Sequence, residues 1–411
     1  MSEIGVVRLP DAVEYGWGAR AALGRTVRRL GQRVFVVADP FLAGTDEFAA
    51  VLKELTAAGV STRVYTGIEP ELPVGTLTTA ADVASEFAPD LVLGYGGGSA
   101  LDAAKLVALL LTHGGPLSRF YGENAVPGPV IPVVAVPTTA GTGSEVTPVA
   151  VIADPDREMK VGVSSPYLIP RAAIVDPELT VGAPATVSAY AGIDALVHAA
   201  ESYTARPLPH AWEPEPPVFA GRNALTEMLS LDAARRIGRS LETAVASPGD
   251  AAARSDMAYG SLVAGMAFGA TGTHLCHAIQ YPVGALTHTP HGLGTGLMLP
   301  YVLEVCAAAV PDRVADLGRA LGVTGDPATV PGRTVERVAE IAKNIGVPAS
   351  LADIGISQEQ LPRIAELALA SKRLVNVAPL RADADLLTRI LEAAHAGDRA
   401  VLRGIEIKEA E

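Results

Sequence analysis

Leu91-Val92-Leu93-Gly94-Tyr95-Gly96-Gly97-Gly98-Ser99-Ala100-Leu101-Asp102-Ala103-Ala104-Lys105 is the passage that decides the fold. Residues 91–95 read as a short apolar strand, and residues 99–111 place apolar side chains at helical spacing. The three glycines therefore sit at a strand-to-helix turn. Backbone without a Cβ can approach a pyrophosphate closely, and the following helix offers unbonded N–H groups and the positive end of its dipole. A tight turn alone would also account for a glycine triplet. The passage is neither G-x-G-x-x-G nor a Walker sequence, and it follows the third predicted strand instead of the first, which disfavours a standard Rossmann assignment.

Upstream of the turn, residues 33–39 and 62–66 read as strands, with helices expected at 48–58 and 79–87. Downstream, residues 133–137 form an almost wholly apolar strand of the kind buried on both faces. Strands alternating with helices imply a mostly parallel sheet covered by helices. Past Asp176-Pro177 strand signals nearly vanish and Ala- and Leu-rich helical patterns take over. Two domains are expected: an α/β unit over 1–183 and a helical unit over 184–411. Within the second, residues 206–220 hold Pro207, Pro209, Pro214, Pro216 and Pro217, and are expected to form a surface loop.

Composition narrows the function. Of 411 residues, 49% are hydrophobic and 19% charged, enough apolar side chain for a sizeable core. Asp+Glu number 45 against 32 Lys+Arg, a formal charge of −13 that disfavours nucleic acid as a partner. The strongest apolar run, residues 106–111, is far short of the ~20 residues a bilayer demands, so no membrane span is expected. The N-terminal residues carry no secretory pattern, which reads as a cytoplasmic protein. Cys276 and Cys306 are the only cysteines and are expected as reduced core thiols.

Two further segments suit a nucleotide. Asp39 ends an early strand, where a carboxylate would accept bonds from an adenosine ribose and repel a 2′-phosphate, favouring NAD; a plain Asp-Pro turn is the alternative. Residues 137–145, Pro-Thr-Thr-Ala-Gly-Thr-Gly-Ser-Glu, form a hydroxyl-rich loop after a buried strand, fit for ribose and phosphate contacts or for a Ser/Thr turn.

Six of the eight histidines lie between 198 and 291, and His274, His277, His288 and His291 share an 18-residue window. Asp194 and His198 are four apart on a predicted helix and project from one face. With His277 and His291 they make one carboxylate and three imidazoles, a set suited to Zn²⁺ or Fe²⁺ with a position left for a substrate oxygen. Such an ion would act as a Lewis acid toward an alcohol. His274 and His288 are either supporting donors or surface residues.

Taken together, these segments resemble the iron-containing, group III alcohol dehydrogenase family along nearly the whole chain. Also matching are residues 174–179, 192–204, 265–268 and 289–292. The resemblance implies an N-terminal dinucleotide-binding domain, a C-terminal helical domain, a metal in the cleft between them, and a homo-oligomer, expected as a dimer. It assigns metal ligation to Asp194, His198, His277 and His291, and ribose selection to Asp39. Pyrophosphate contacts fall to Gly97, Gly98 and Ser99, with Asp102 beside them. Thr138, Thr139, Thr142, Val151, Lys160 and Leu179 match positions lining the NAD(H) site, Lys160 being the one candidate for a positive charge beside the cofactor or a substrate anion.

Two departures stand out. Tyr281 occupies a position where many members carry a further histidine, and an asparagine usual near residues 69–73 is absent. Both departures, with Tyr281-Pro282 and the Pro-rich insertion after Tyr203, are similar to the hydroxyacid-oxoacid transhydrogenase branch and related phosphonoacetaldehyde reductases. The expected activity is hydride transfer between NAD(H) and a small, anionic aldehyde or alcohol such as a semialdehyde, with Tyr281 as the candidate proton carrier. Alternatives are transhydrogenation with retained NAD and a dehydroquinate synthase-like lyase.

Overall fold

The computed structural model describes residues 5–209 and 216–407. The chain divides into two compact units, Arg8–Ala183 and Pro184–Glu411 with Met1–Val7.

In the first unit six strands pair in parallel, in the order Ala12–Tyr15, Ala172–Val175, Val133–Pro137, Leu91–Gly96, Arg33–Ala38, Ser61–Tyr65. Every residue of Leu91–Gly96 and of Val133–Pro137 is buried, as a sheet covered on both faces requires. Alternation along Arg33–Ala38 divides the work. Val34 and Val36 pack with the helices Leu23–Leu30 and Asp46–Ala57. Phe35 and Val37 pack with Val74–Phe87 and Gly98–His113 on the other face. The glycine turn follows the fourth strand in chain order, because the short, half-exposed Ala12–Tyr15 precedes it. That strand, Ala172–Val175 and the separate small sheet of Gly122–Glu123, Val161–Ser164 and Val149–Ile152 escaped the sequence reading; at two to four residues each they carry too little periodicity.

Strand order creates a topological switch. The chain leaves Arg33–Ala38 toward one edge of the sheet and Leu91–Gly96 toward the other, so the turns after these neighbouring strands flank a crevice at their carboxyl ends. Asp39 and Gly96–Gly98 are those turns.

Among the described residues of the second unit the regular elements are helices, the longest being Ala185–Thr204, Ala224–Ala246, Ala251–Thr271 and His291–Ala309. His291–Ala309 is apolar enough to cross a bilayer by composition, a span the sequence reading did not register. Of its most apolar 18-residue window 83% is buried within the fold, as in a core helix. The Pro-rich segment is not wholly a surface loop: Pro207 and Pro209 are exposed, but Val218, Phe219 and Ala220 are buried, since Ala220 N–H donates to Ala270 C=O and ties the segment to a helix end. Residues 210–215 of that segment lie outside the described residues.

Candidate metal centre and nucleotide loop

Helix Ala185–Thr204 aligns Asp194, His198 and Glu201 along one buried face. Helix Ala251–Thr271 stops at Gly272, and Leu275–Thr287 starts three residues after that glycine, with His277 in its first turn. His291 opens the helix His291–Ala309 directly after Pro290. Gly292 allows that helix to sit against its neighbour: a Cβ there would lie 2.1 Å from Tyr190 C=O and 3.0 Å from Asp194 Cβ. Close approach at Gly292 brings His291 to Asp194.

The side chains converge. His277 Nε2 lies 4.0 Å and His291 Nε2 3.9 Å from Asp194 Oδ1, while His198 Nε2 lies 3.8 Å from Oδ2. Asp194, His277 and His291 each offer a ligand atom within 4.8 Å of the others. His198 joins through Asp194 and through its ring, 4.9 Å from that of His277. On its other side it stacks on Phe268 at 4.0 Å. Bonds of about 2.1 Å to one cation hold ligand atoms some 3–4 Å apart, the scale seen here. His291 is the exposed member, its side chain 29% accessible against 5% or less for the others, so the centre is open on that side.

Glu201 is a functional candidate that sequence reasoning missed. It is 1% exposed and accepts the backbone N–H groups of His274 (2.9 Å) and Cys276 (2.6 Å), and His277 Nδ1 at 2.7 Å. Burial alone would raise its pKa, but the charges of His274 and His277 and these bonds outweigh it and hold the carboxyl near 2. Being ionised, it accepts Nδ1–H and leaves His277 Nε2 as a buried atom with no hydrogen-bond partner, turned to the other ligands. Its signal was present in the sequence as spacing: Glu201 lies seven residues from Asp194, two helical turns along the same face. Thr295, also missed, donates to Asp194 Oδ1 at 2.7 Å. Burial works against the Asp194 charge too, yet His198, His291 and His277 and this bond keep its pKa low.

Of the two histidines left open, His274 is buried, its Nε2 2.9 Å from Thr204 Oγ1 and its Nδ1 3.2 Å from Glu201. It supports the centre. His288 is an exposed helix C-cap at φ 53°. Tyr281 is buried with its ring 6.3 Å from that of His291. Cys276 and Cys306 are buried free thiols, both pushed up in pKa by burial.

Fit to a cation follows from charge. Asp194 and Glu201 put two ionised carboxylates in the interior, and among the described residues neither meets a lysine or arginine. Once the imidazoles are neutral, as metal ligation requires, that buried charge is uncompensated and costly, and a divalent cation held by Asp194 and the imidazoles would supply the balance.

In the first unit the nucleotide candidates share the carboxyl edge of the sheet. Asp39 N–H donates to Tyr95 C=O (3.3 Å) and Thr138 N–H to Gly96 C=O (3.0 Å), which lines up three consecutive loops. Gly97 caps helix Gly98–His113 with no side-chain cap, leaving its first N–H groups to a ligand. A Cβ on Gly98 would stand 2.6 Å from Thr142 Cγ2, and one on Gly97 3.4 Å from Thr139 Cγ2, so the two loops touch at the glycines. Ser99 follows at the second helical position. Leu179 lies in the short helical turn Pro177–Thr180 and packs on the core.

Three members are engaged differently from expectation. Asp39 Oδ1 accepts Phe41 N–H at 2.8 Å, so the turn reading holds for one oxygen. Asp102 gives both oxygens to the protein, one to Ser144 Oγ (2.5 Å) and one to Val151 N–H (2.9 Å), fastening the hydroxyl loop and the strand Val149–Ile152 to the glycine helix. Lys160 is no open charge: it is buried and ion-paired with Glu71, in the loop where the usual asparagine is absent.

A nucleotide loop at a switch point in one unit and a carboxylate–imidazole centre in the other define a metal-containing oxidoreductase. Comparison with known proteins agrees. Residues 10–177 match the iron-containing alcohol dehydrogenase family and residues 188–395 its C-terminal region; the chain belongs to this family and is an alcohol dehydrogenase-type oxidoreductase. It is 34% identical over 392 residues to the sulfoacetaldehyde reductase of Bilophila wadsworthia (strain 3_1_6), covering 93% of this chain and 96% of that one. A crystal structure of 1,3-propanediol oxidoreductase is 29% identical, with a TM-score of 0.89, over 95% of this chain and 100% of the other. Sulfoacetaldehyde reductase from Bifidobacterium kashiwanohense, solved in complex with NAD+, is 25% identical, with a TM-score of 0.82, over 97% of this chain and 100% of that one.

Proposed function

We propose that this enzyme reduces small aldehydes carrying an anionic group, and oxidises the matching alcohols, with NAD(H) and one divalent cation, Fe²⁺ or Zn²⁺. The observation that carries the metal is the pair of buried carboxylates, Asp194 and Glu201, balanced by no lysine or arginine among the described residues. The substrate class is supported by two relatives named for sulfoacetaldehyde reduction.

When bound, the nicotinamide exchanges hydride with the substrate carbon and the cation acts as a Lewis acid at its oxygen. The protein's own residues orient and hold. Asp194, His198, His277 and His291 keep the cation, Thr295 and Glu201 fixing the rotamer of the first and the tautomer of the third. Gly97, Gly98 and Ser99 offer backbone N–H groups to the pyrophosphate, Thr138, Thr139 and Thr142 offer hydroxyls, and Asp39 favours a free ribose 2′-hydroxyl. Tyr281 carries the proton. The enzyme works as a homodimer, which sedimentation checks.

An NADH-consumption screen tests the reading, using aldehydes with sulfonate, carboxylate or phosphonate groups beside neutral ones of equal length, on protein loaded separately with Fe²⁺ and Zn²⁺. Turnover confined to neutral aldehydes would discard the substrate class, and turnover unaffected by chelation would discard the metal.

A further inference from the structure

A cation, Arg373, reaches the neighbour of the exposed ligand His291. Arg373 lies in the short helix Lys372–Val375, anchored by the buried Leu374 and Val375. Its Nη2 donates to Tyr281 Oη at 3.4 Å, and its Cζ sits over the Phe219 ring at 4.6 Å. Tyr281 in turn stands 6.3 Å, ring to ring, from His291, the exposed ligand. One phenol ring thus separates the guanidinium from the centre.

The Pro-rich segment holds it there. At the start of that segment Arg206 N–H donates to Val377 C=O and its Nε to Asn376 C=O (2.9 and 2.7 Å), gripping the residues just after the Arg373 helix. At its far end Phe219, 4% exposed, forms the aromatic floor under the guanidinium. Arginine stacked on an aromatic face is ordered in advance and keeps its fork of donors for a planar or tetrahedral oxyanion.

Charge completes the argument. The chain carries 13 more acidic than basic residues, yet among the described residues no carboxylate pairs with this half-buried guanidinium. Lys160, the other cation considered, is already neutralised by Glu71.

We propose that Arg373, held on Phe219 beside Tyr281, binds the anionic group of the substrate and sets the preference for charged over neutral aldehydes. This rests on the anionic-aldehyde reading above. A small aldehyde would then have its carbonyl oxygen at the metal end and its sulfonate, carboxylate or phosphonate at Arg373.

The test compares kcat/KM for sulfoacetaldehyde and for propanal in the wild type, Arg373→Gln and Arg373→Lys, with metal content and melting temperature measured on each preparation. A charge-assisted contact is worth about 1.5–3 kcal/mol, so the charged-to-neutral ratio is expected to fall roughly 10- to 100-fold in R373Q, chiefly through KM. R373K, which keeps the charge without the fork, is expected to fall between and carries the test if R373Q does not fold. Inhibition of propanal reduction by ethanesulfonate should weaken by a similar factor. An R373Q ratio equal to that of the wild type overturns the role of Arg373 while the anionic reading stands. A wild type with no preference for the charged aldehyde overturns both.

Discussion

Glu201 accepts the Nδ1–H of His277 at 2.7 Å from a position seven residues beyond Asp194 on the same helix. One buried face thus supplies both the candidate ligand carboxylate, Asp194, and the carboxylate that fixes the tautomer of another candidate ligand, His277. Glu201→Gln is expected to weaken metal retention 10- to 100-fold, the usual effect of losing such a supporting partner. Competition against a chromophoric chelator measures it. A dissociation constant within twofold of wild type would show that Glu201 only holds the backbone of residues 274–276.

Removing a ligand should act more strongly. Asp194→Ala takes from His198, His277 and His291 the acid they surround and leaves Glu201, which touches His277 from the other side, as the carboxylate beside them. Purified variant protein should contain less than a tenth of the wild-type metal, with activity lowered at least 1000-fold and circular dichroism unchanged. Elemental analysis decides the matter.

At the nucleotide loop the expected defect is steric. Gly98→Ala would set a methyl 2.6 Å from Thr142 Cγ2 and force the hydroxyl loop away from the glycine turn. NADH affinity, followed by fluorescence titration, should drop about tenfold or more, while metal content, held in the other unit, stays at wild-type level. Retained NADH affinity would mean that the two loops do not act together.

Glu145 gives a pH signature. Burial raises its carboxyl pKa to about 7, only partly offset by the Lys105 charge. Between the ordinary value of 4.5 and 7 the folded chain keeps a proton that the unfolded chain has released, so this group's contribution to stability is present below pH 4.5 and is lost as the pH rises through 7. The loss is at most about 3 kcal/mol. Glu145→Gln has no such proton, so its stability relative to wild type should grow from pH 5 to pH 8, as read by urea unfolding. A difference that does not change with pH would place the raised pKa in error.

The α/β unit was legible because its central strands are buried on both faces: Leu91–Gly96 and Val133–Pro137 are apolar throughout, and the glycine triplet marks where one ends. Ala12–Tyr15 at one edge and Ala172–Val175 beside it were not, since these four-residue strands are held by pairing with each other and with Val133–Pro137, non-local bonds with no local pattern. Asp194 and His198 were legible through their four-residue spacing on one helix.

Sequence alone therefore determined the alternation of elements, the glycine turn and the one-carboxylate, three-histidine candidate set, because each rests on short-range periodicity or on a residue type with few uses. Tertiary structure decided which atoms meet: that Glu201 turns His277 toward Asp194, that Glu71 takes Lys160, and that Arg373 stands beside Tyr281. Those contacts join residues 76 to 92 positions apart in the chain. They are set by how helices and loops pack, which no local spacing encodes.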